Sequence, residues 1–271
     1  MAAVRKLLSR VLYSEASLGT SGGFRLALRR RHQAAGPHGR PHAPWRNAVL
    51  KTRREWEAAT AQVQALGLHS HPTPSKNWDS LAALACTLER TGPSARILDA
   101  GAEVFSVILP WLFLYGYRNL VGINLTFDRT IRRGPIRYER GDLTRSRFDA
   151  GSFDAVICQS TLEHGVDVAA YLAEMSRLLR PGGVVMTSMD YFAEPTETHG
   201  IRPYGMDYHV FSRADIVALL SAARGVGLVP CDPIDLSCEE RAIRWETYGL
   251  DYTFLMLTLE KTSNGAEVHT P

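Results

Sequence analysis

The stretch RILDAGAEVFSVILPWL, residues 96–112, ends an apolar run in Asp-x-Gly and continues into an apolar helical pattern. A strand that turns into a helix in this way can hold a ligand against backbone N–H groups. Loops of this kind usually carry two or three glycines, which let the backbone approach closely. Here the glycines stop at Gly101, and Glu103 and Phe105 stand where more would be expected. Three readings stay open at this level: a cofactor loop with unusual parts, a decayed one, or a plain strand–helix corner. Further along, His164 follows another apolar strand, and His199 and His209 lie in an aperiodic stretch. An imidazole titrates near neutral pH, so each could serve as a general base. A lone histidine is more often structural. Asp190 and Tyr191 close a further apolar strand and could face a substrate.

These residues need a scaffold, and the pattern from residue 96 onward supplies one. Strands are expected at 96–100, 120–124, 136–139, 153–158 and 183–189, with later strands at 227–231 and 252–260. Helices fit 104–115, 167–180 and 213–224. Strands alternating with helices imply a parallel sheet with right-handed crossovers. Only LTFDRTIRRGP separates the second and third strands, so any helix there must be short. The late pair suggests an antiparallel return at one edge. Upstream, a helix opens at Thr52 and Glu55 as a capping box, and another covers about 77–90 until Thr91, Gly92 and Pro93 stop it. Residues 190–212 lack periodicity but hold many aromatics, which favours a folded loop over a substrate.

Charge is uneven. The net +3 divides into +9 over residues 1–58 and −6 over the rest, a basic arm before a mildly acidic body. Val4, Leu7, Leu8, Val11 and Leu12 share one helical face of the arm. A helix docked on the body or a partner, a membrane-surface helix and an organelle-targeting segment all fit that face. Residues 29–46, rich in Pro, Gly, His and Arg, read as a linker. The expected division is an arm and linker at 1–50, a main domain at 51–262 and a flexible tail at 263–271. Cys86, Cys158, Cys231 and Cys238 form no C-x-x-C pair, so neither zinc site nor disulfide framework is expected. They read as packed, reduced thiols of a cytoplasmic protein. No apolar run is long enough to span a membrane.

The order of several motifs is specific. The strand FDAVIC, the LEH that follows it and EMSRLLRPGG leading to the next strand stand downstream of Asp-x-Gly and of RGDL at 140–143. This order resembles the class I S-adenosylmethionine-dependent methyltransferases, in particular the branch called methyltransferase type 11. The resemblance covers about residues 94–190 well and continues loosely to YTFLMLTLEK. It implies an α/β fold: a seven-stranded, mostly parallel Rossmann-like sheet in the order 3-2-1-4-5-7-6, with helices on both faces. It also implies S-adenosyl-L-methionine as cofactor, held by Asp99, Ala100, Gly101 and Glu103 in the loop. Asn124, beside Leu125, stands where the family usually has an acid for the ribose hydroxyls. Asp142 matches the acceptor for the adenine amino group, with Leu143 over the ring, and Gln159 ends the fourth strand. Phe127 could lie against adenine or pack in the core.

Glu103 is compatible with this cofactor. A sulfonium and an ammonium tolerate a nearby carboxylate, whereas a dinucleotide pyrophosphate would be repelled. An Asn124 whose amide oxygen took one ribose hydroxyl would make Asn124→Asp neutral or favourable. Methyl transfer to a hydroxyl would use His164 as base, and Asp190, Tyr191, Tyr204 and His209 would contact the acceptor. The absence of an Asn-Pro-Pro-Tyr-like motif favours a small molecule, a saccharide or a lipid precursor. A non-catalytic binding domain and an RNA methyltransferase remain as alternatives. The arm could also touch a membrane surface or another protein, and no stable nucleic-acid complex is expected.

Overall fold

The computed structural model describes residues 12–33 and 36–263. Val4, Leu7, Leu8 and Val11 of the expected apolar face, and residues 264–271 of the expected tail, lie outside the described residues. Among the described residues the strands are β1 (Ala48–Val49), β2 (Arg96–Ala100), β3 (Asn119–Asn124), β4 (Ile131–Arg133) and β5 (Ile136–Arg140). They continue as β6 (Phe153–Gln159), β7 (Leu179–Tyr191), β8 (Leu228–Pro230), β9 (Ile243–Trp245) and β10 (Leu250–Lys261). The helices are α1 (Glu15–Leu18), α2 (Ser21–His32), α3 (Arg53–Ala65), α4 (Asn77–Arg90), α5 (Ile108–Leu114), α6 (Val168–Leu178) and α7 (Arg213–Gly225).

Seven of the strands take the expected order: β5, β3, β2, β6 and β7 run parallel, β10 returns antiparallel to β7, and β8 lies beyond it. The sheet nonetheless has ten strands rather than seven. Two of the additions, β1 and β9, pair with β10 as β8 does, and β1 and β8 cover part of the edge that faces away from β7. An uncovered strand of that length would present unpaired backbone groups. The third, β4, extends the sheet outside β5 as a tight antiparallel hairpin.

That hairpin corrects one expectation. No helix crosses between β3 and β5, because the connection is spent on β4. The arm lies against this hairpin. Leu18 O accepts from Gly134 N at 2.8 Å, Glu15 pairs with Arg129, and Phe24 packs against Phe113 with centroids 5.5 Å apart. Phe24 and Leu28 share one core cluster with Trp78, Trp111 and Phe113, and so does Ala43 from the stretch read as linker. Packing shows no break at residue 50, since Leu50 is itself fully buried.

Other boundaries shift for local reasons. Helix α5 starts at Ile108, not 104, because residues 101–107 are used by the loop, where Glu103 N donates to Ser106 Oγ at 3.1 Å. Strand β7 begins at Leu179, ahead of the expected 183, and Pro181 and Gly182 sit inside it. They lie on its exposed start, where the pairing with β6 shifts register between Phe153 and Ala155. The expected capping box of α3 does not form, because Glu55 reaches past the N-cap to the residue before it. Glu55 accepts from Lys51 N at 2.8 Å, and Thr52 offers no side-chain cap. A full capping box appears at α7, from Ser212 and Asp215. Helix α4 matches 77–90 closely and is buried along almost its whole length.

Candidate active site

The carboxyl ends of β2, β3, β5, β6 and β7 gather the chemistry, as expected for an open α/β sheet. The loop after β2 is built without its missing glycines. Gly101 has φ +98°, and a Cβ there would meet Thr161 Oγ1 at 2.3 Å, so both conformation and space require glycine. The amides of Gly101 and Ala102 both donate to Ile123 O at 2.9 Å. Asn124 then clips the loop. Its amide nitrogen donates to Ala102 O at 3.0 Å and Glu103 Oε1 at 3.3 Å, with Gly101 O at 3.5 Å. Its amide oxygen accepts from Thr126 N and Thr126 Oγ1, both at 3.0 Å.

Side-chain hydrogen bonds therefore do the work that extra glycines would do. They also correct the expected role of Asn124, because both lone pairs of its amide oxygen are engaged and none is left for a ribose hydroxyl. Asn124→Asp should consequently loosen the loop. It removes two donors and sets a second carboxylate beside Glu103, at a cost of about 1–2 kcal/mol. Affinity for S-adenosylhomocysteine should fall about five- to thirtyfold by titration calorimetry. Unchanged or tighter binding would restore the ribose role.

Two carboxyls frame this loop. Asp99 is buried with Oδ2 unpartnered, and burial, reinforced by Glu103, raises its pKa to about 7. Glu103 is half-exposed and also raised by burial. An orphaned acid beside a second acid calls for a cationic group, and a sulfonium with an ammonium supplies one. Across the cleft, Asp142 Oδ1 accepts from Thr144 N at 2.8 Å and Thr144 Oγ1 at 2.7 Å, closing a turn through one carboxylate oxygen. Leu125 is largely exposed at the rim. Leu143 packs half-buried on the second core cluster, the one under β6, β7 and α6. Phe127 is buried against Tyr138 at 5.8 Å, which is the core reading of that residue. Gln159 meets Ser80 Oγ at 3.3 Å.

Beside β6 and β7 lies a second group of side chains. Lys76, in the turn before α4, contacts Ser160 Oγ, lies 3.8 Å from Asp190 and sits 4.0 Å from the Phe254 ring centroid. Asp79 accepts from Ser188 Oγ at 2.6 Å and from Ser80 N at 2.8 Å. Tyr208 donates to Asp190 Oδ2. Glu163 and Asp190 are almost fully buried, and Glu163 Oε2 and Asp190 Oδ1 have no hydrogen-bond partner. Burial pushes the Glu163 carboxyl well up, helped by the Asp190 charge and opposed by Lys76. Burial raises Asp79 too, against Lys76 and the Ser188 bond. His164 is held below its ordinary value by burial and Lys76, while Asp190 acts the other way. Its Nδ1 has no partner, and its ring lies 5.7 Å from that of Tyr204 and 5.5 Å from that of Tyr208.

The structure brings His164, Asp190 and Tyr204 together but separates two other expected residues from them. Tyr191 points to the opposite face of β7, into the second core cluster, and donates to Leu236 O at 3.1 Å. Neighbouring strand residues must face opposite ways, so Asp190 and Tyr191 cannot share one rim. His209 binds Asp215 at 3.0 Å, on the cap of α7, although its amide does reach Glu163 O at 2.8 Å. His199 is exposed in the same loop. Sequence reasoning missed Lys76, Asp79, Glu163 and Tyr252. A signal existed in SKNWDS, where Lys76 and Asp79 stand three apart at the start of an otherwise apolar helix. Among the described residues no group of His, Cys, Asp and Glu could hold a metal ion.

Residues 98–187 match the model of a family described as Methyltransferase domain. A 56-residue segment is 46% identical to the demethylmenaquinone methyltransferase of Mycolicibacterium gilvum, covering 21% of this chain and 24% of that protein. The chain thus matches only about a quarter of that relative's length. Among solved structures, geranyl diphosphate C-methyltransferase from Streptomyces coelicolor A3(2) aligns at TM-score 0.51 and 15% identity, over 88% of this chain and 98% of that one. The [4+2]-cyclase SpnF aligns at TM-score 0.53 and 17% identity, over 90% and 98%. At such identities these two likenesses concern the fold.

Proposed function

We propose that the chain, whose residues 98–187 match a methyltransferase domain, is a class I S-adenosylmethionine-dependent methyltransferase that methylates a hydroxyl of a small polar acceptor. His164 carries the reading. It is a half-buried imidazole, held toward its neutral form, with Nδ1 unpartnered and set among rings beside the carboxyl ends of β6 and β7. Asp99, Gly101, Glu103 and Asp142 would hold the cofactor, which supplies a methyl already activated by its sulfonium. The protein's own part is alignment and proton removal. His164 takes the hydroxyl proton as the oxygen attacks, and the nearby Asp190 charge favours the imidazolium so formed. Tyr204, 85% exposed and in the left-handed region at φ 59°, offers an aromatic face over this place. Rings and carboxyls together suit a saccharide-like acceptor better than a flat hydrophobe. No helix among the described residues is long and apolar enough to cross a membrane. Four free cysteines, of which Cys86 and Cys158 are buried with thiols pushed up to about 12, support a reducing compartment such as the cytoplasm.

Asp99 provides the test of the cofactor half. Its raised pKa means that the folded protein holds a proton the unfolded chain would release. Asp99 therefore lowers stability as pH rises from the ordinary carboxylate value, near 4, to about 7. A cationic ligand prefers the ionised form, so affinity for S-adenosylmethionine should rise about tenfold between pH 6 and pH 8 and level off above. Thermal shift and calorimetry at several pH values measure this. Asp99→Asn should bind weakly and with little pH dependence. Absence of any stabilisation by S-adenosylmethionine or S-adenosylhomocysteine would sink the reading, because a ligand that prefers the folded state must raise the melting temperature.

A further inference from the structure

The polar group beside β7 has more acceptors than donors. Lys76 is spent on Ser160 and Asp190, Tyr208 donates to Asp190, and Ser188 and Ser80 donate to Asp79. What remains without a hydrogen bond is Glu163 Oε2 and Asp190 Oδ1, on side chains that are 1% and 3% exposed residues. The two carboxyls feel each other, Asp79 and Lys76, and the hydroxyl of Tyr252 lies near Asp190 and Tyr208. Three buried acids thus face one ammonium. Orphaned buried oxygens of this kind cost free energy until something donates to them.

The walls around them are aromatic. The Tyr208 ring lies 5.2 Å from Trp245, which lies 4.6 Å from the partly exposed Tyr248, and His164 and Tyr204 close another side. Rings beside an unpartnered Glu163 oxygen, and beside an Asp190 whose Oδ1 has only Lys76 at 3.8 Å, favour an organic cation, through their negative faces and through charge-assisted hydrogen bonds. An ammonium has three donors and no acceptor, which suits the Asp190 oxygen and a Glu163 carboxyl that becomes acceptor-only once it gives up its proton. A neutral hydroxyl would bring an acceptor into a place already rich in them.

We propose that Glu163 and Asp190 form an ammonium-binding subsite, so that the acceptor is an amino polyol, anchored by its protonated amine and methylated at a hydroxyl. This rests on the methyltransferase reading above and deepens it. Held between carboxylates, the amine stays protonated and has no lone pair with which to attack, so the methyl goes to oxygen. Lys76, Asp79 and Asp190 from three elements and His164, Tyr208 and Tyr252 from their neighbours surround Glu163 and set its charge. Ammonium binding should ionise it and release its proton to the buffer.

The test compares matched pairs on the full chain with S-adenosylhomocysteine bound: 2-amino-1,3-propanediol against glycerol, and glucosamine against glucose. Saturation-transfer NMR and calorimetry should show the amine of each pair binding about tenfold or more tightly at neutral pH. Calorimetry in two buffers of different ionisation enthalpy should show proton release. Glu163→Gln and Asp190→Asn keep shape, and each should abolish the amine preference while leaving S-adenosylhomocysteine affinity unchanged. Equal binding of the neutral partners, no binding of either amine, or an amine preference that survives both variants overturns the subsite. Failure of the parent chain to bind S-adenosylhomocysteine would instead sink the methyltransferase reading, and this one with it.

Discussion

His164→Gln should lower the rate of methyl transfer to the acceptor by about 10²- to 10⁴-fold, the usual contribution of a positioned general base. Binding of S-adenosylhomocysteine should be unaffected, since the loop after β2 contacts Thr161 and Ile123 rather than His164. The pH profile sharpens the assignment. Burial and Lys76 hold the imidazole below its ordinary value, so the neutral, proton-accepting form persists into mildly acid solution. The acid limb of the rate should lie below the value of a free imidazole, near 6.5, and should vanish in the variant. A loss of less than about threefold, with the acid limb intact, would make His164 a packing residue and move the base elsewhere.

The arm should prove indispensable to the fold. Phe24 and Leu28 are 8% and 4% exposed and join the core cluster of α4 and α5. Arg25 and Arg118 both lie over the Phe113 ring, at 5.0 and 5.2 Å, which ties α2 to α5, while Glu15 and Leu18 of α1 hold Arg129 and Gly134 at the β4 edge of the sheet. The connection from β3 to β5 carries no helix to cover that edge, so nothing else in the described chain takes the arm's place there. Phe24→Ala should cost about 3–5 kcal/mol, as large-to-small changes of a buried phenylalanine do. At roughly 2–4 °C per kcal/mol for a chain of this size, the melting temperature should fall by about 6–20 °C. Deleting residues 1–33 should expose Phe113 and its neighbours and give an aggregating or unfolded protein. A deletion with an unchanged melting temperature would mean that the arm is a loosely attached segment after all.

How much of this was legible from residues alone depends on distance along the chain. Period and punctuation lie within a few positions of each other, so the strand–helix alternation, the limits of α4 and the glycine at 101 could be read locally. The succession of Asp-x-Gly, RGDL, FDAVIC, LEH and RPGG carried the sheet order as well, through resemblance to a family. Beyond that, the alternation of a strand says that Asp190 and Tyr191 face opposite ways, but not which face holds the site. The packing of β7 between the two core clusters decides that.

Charge pairing was harder still. Lys76 meets Ser160 across 84 positions and Ser188 meets Asp79 across 109, because sheet order brings the start of α4 against the ends of β6 and β7. Neither partner carries a mark of the other. Asn124 shows the same limit at short range. Its type suggested a weakened ribose ligand, yet Thr126 on one side and the carbonyls of the loop on the other turned it into a clip. The arm's basic, helical character was evident in its composition, whereas its place was set by a gap that the chain leaves between β3 and β5. Composition and periodicity determined which elements form, and the resemblance to a family pointed to the loop after β2 as the place for a cofactor. The tertiary structure alone decided which buried charges face one another, since that depends on which distant segments exclude water together.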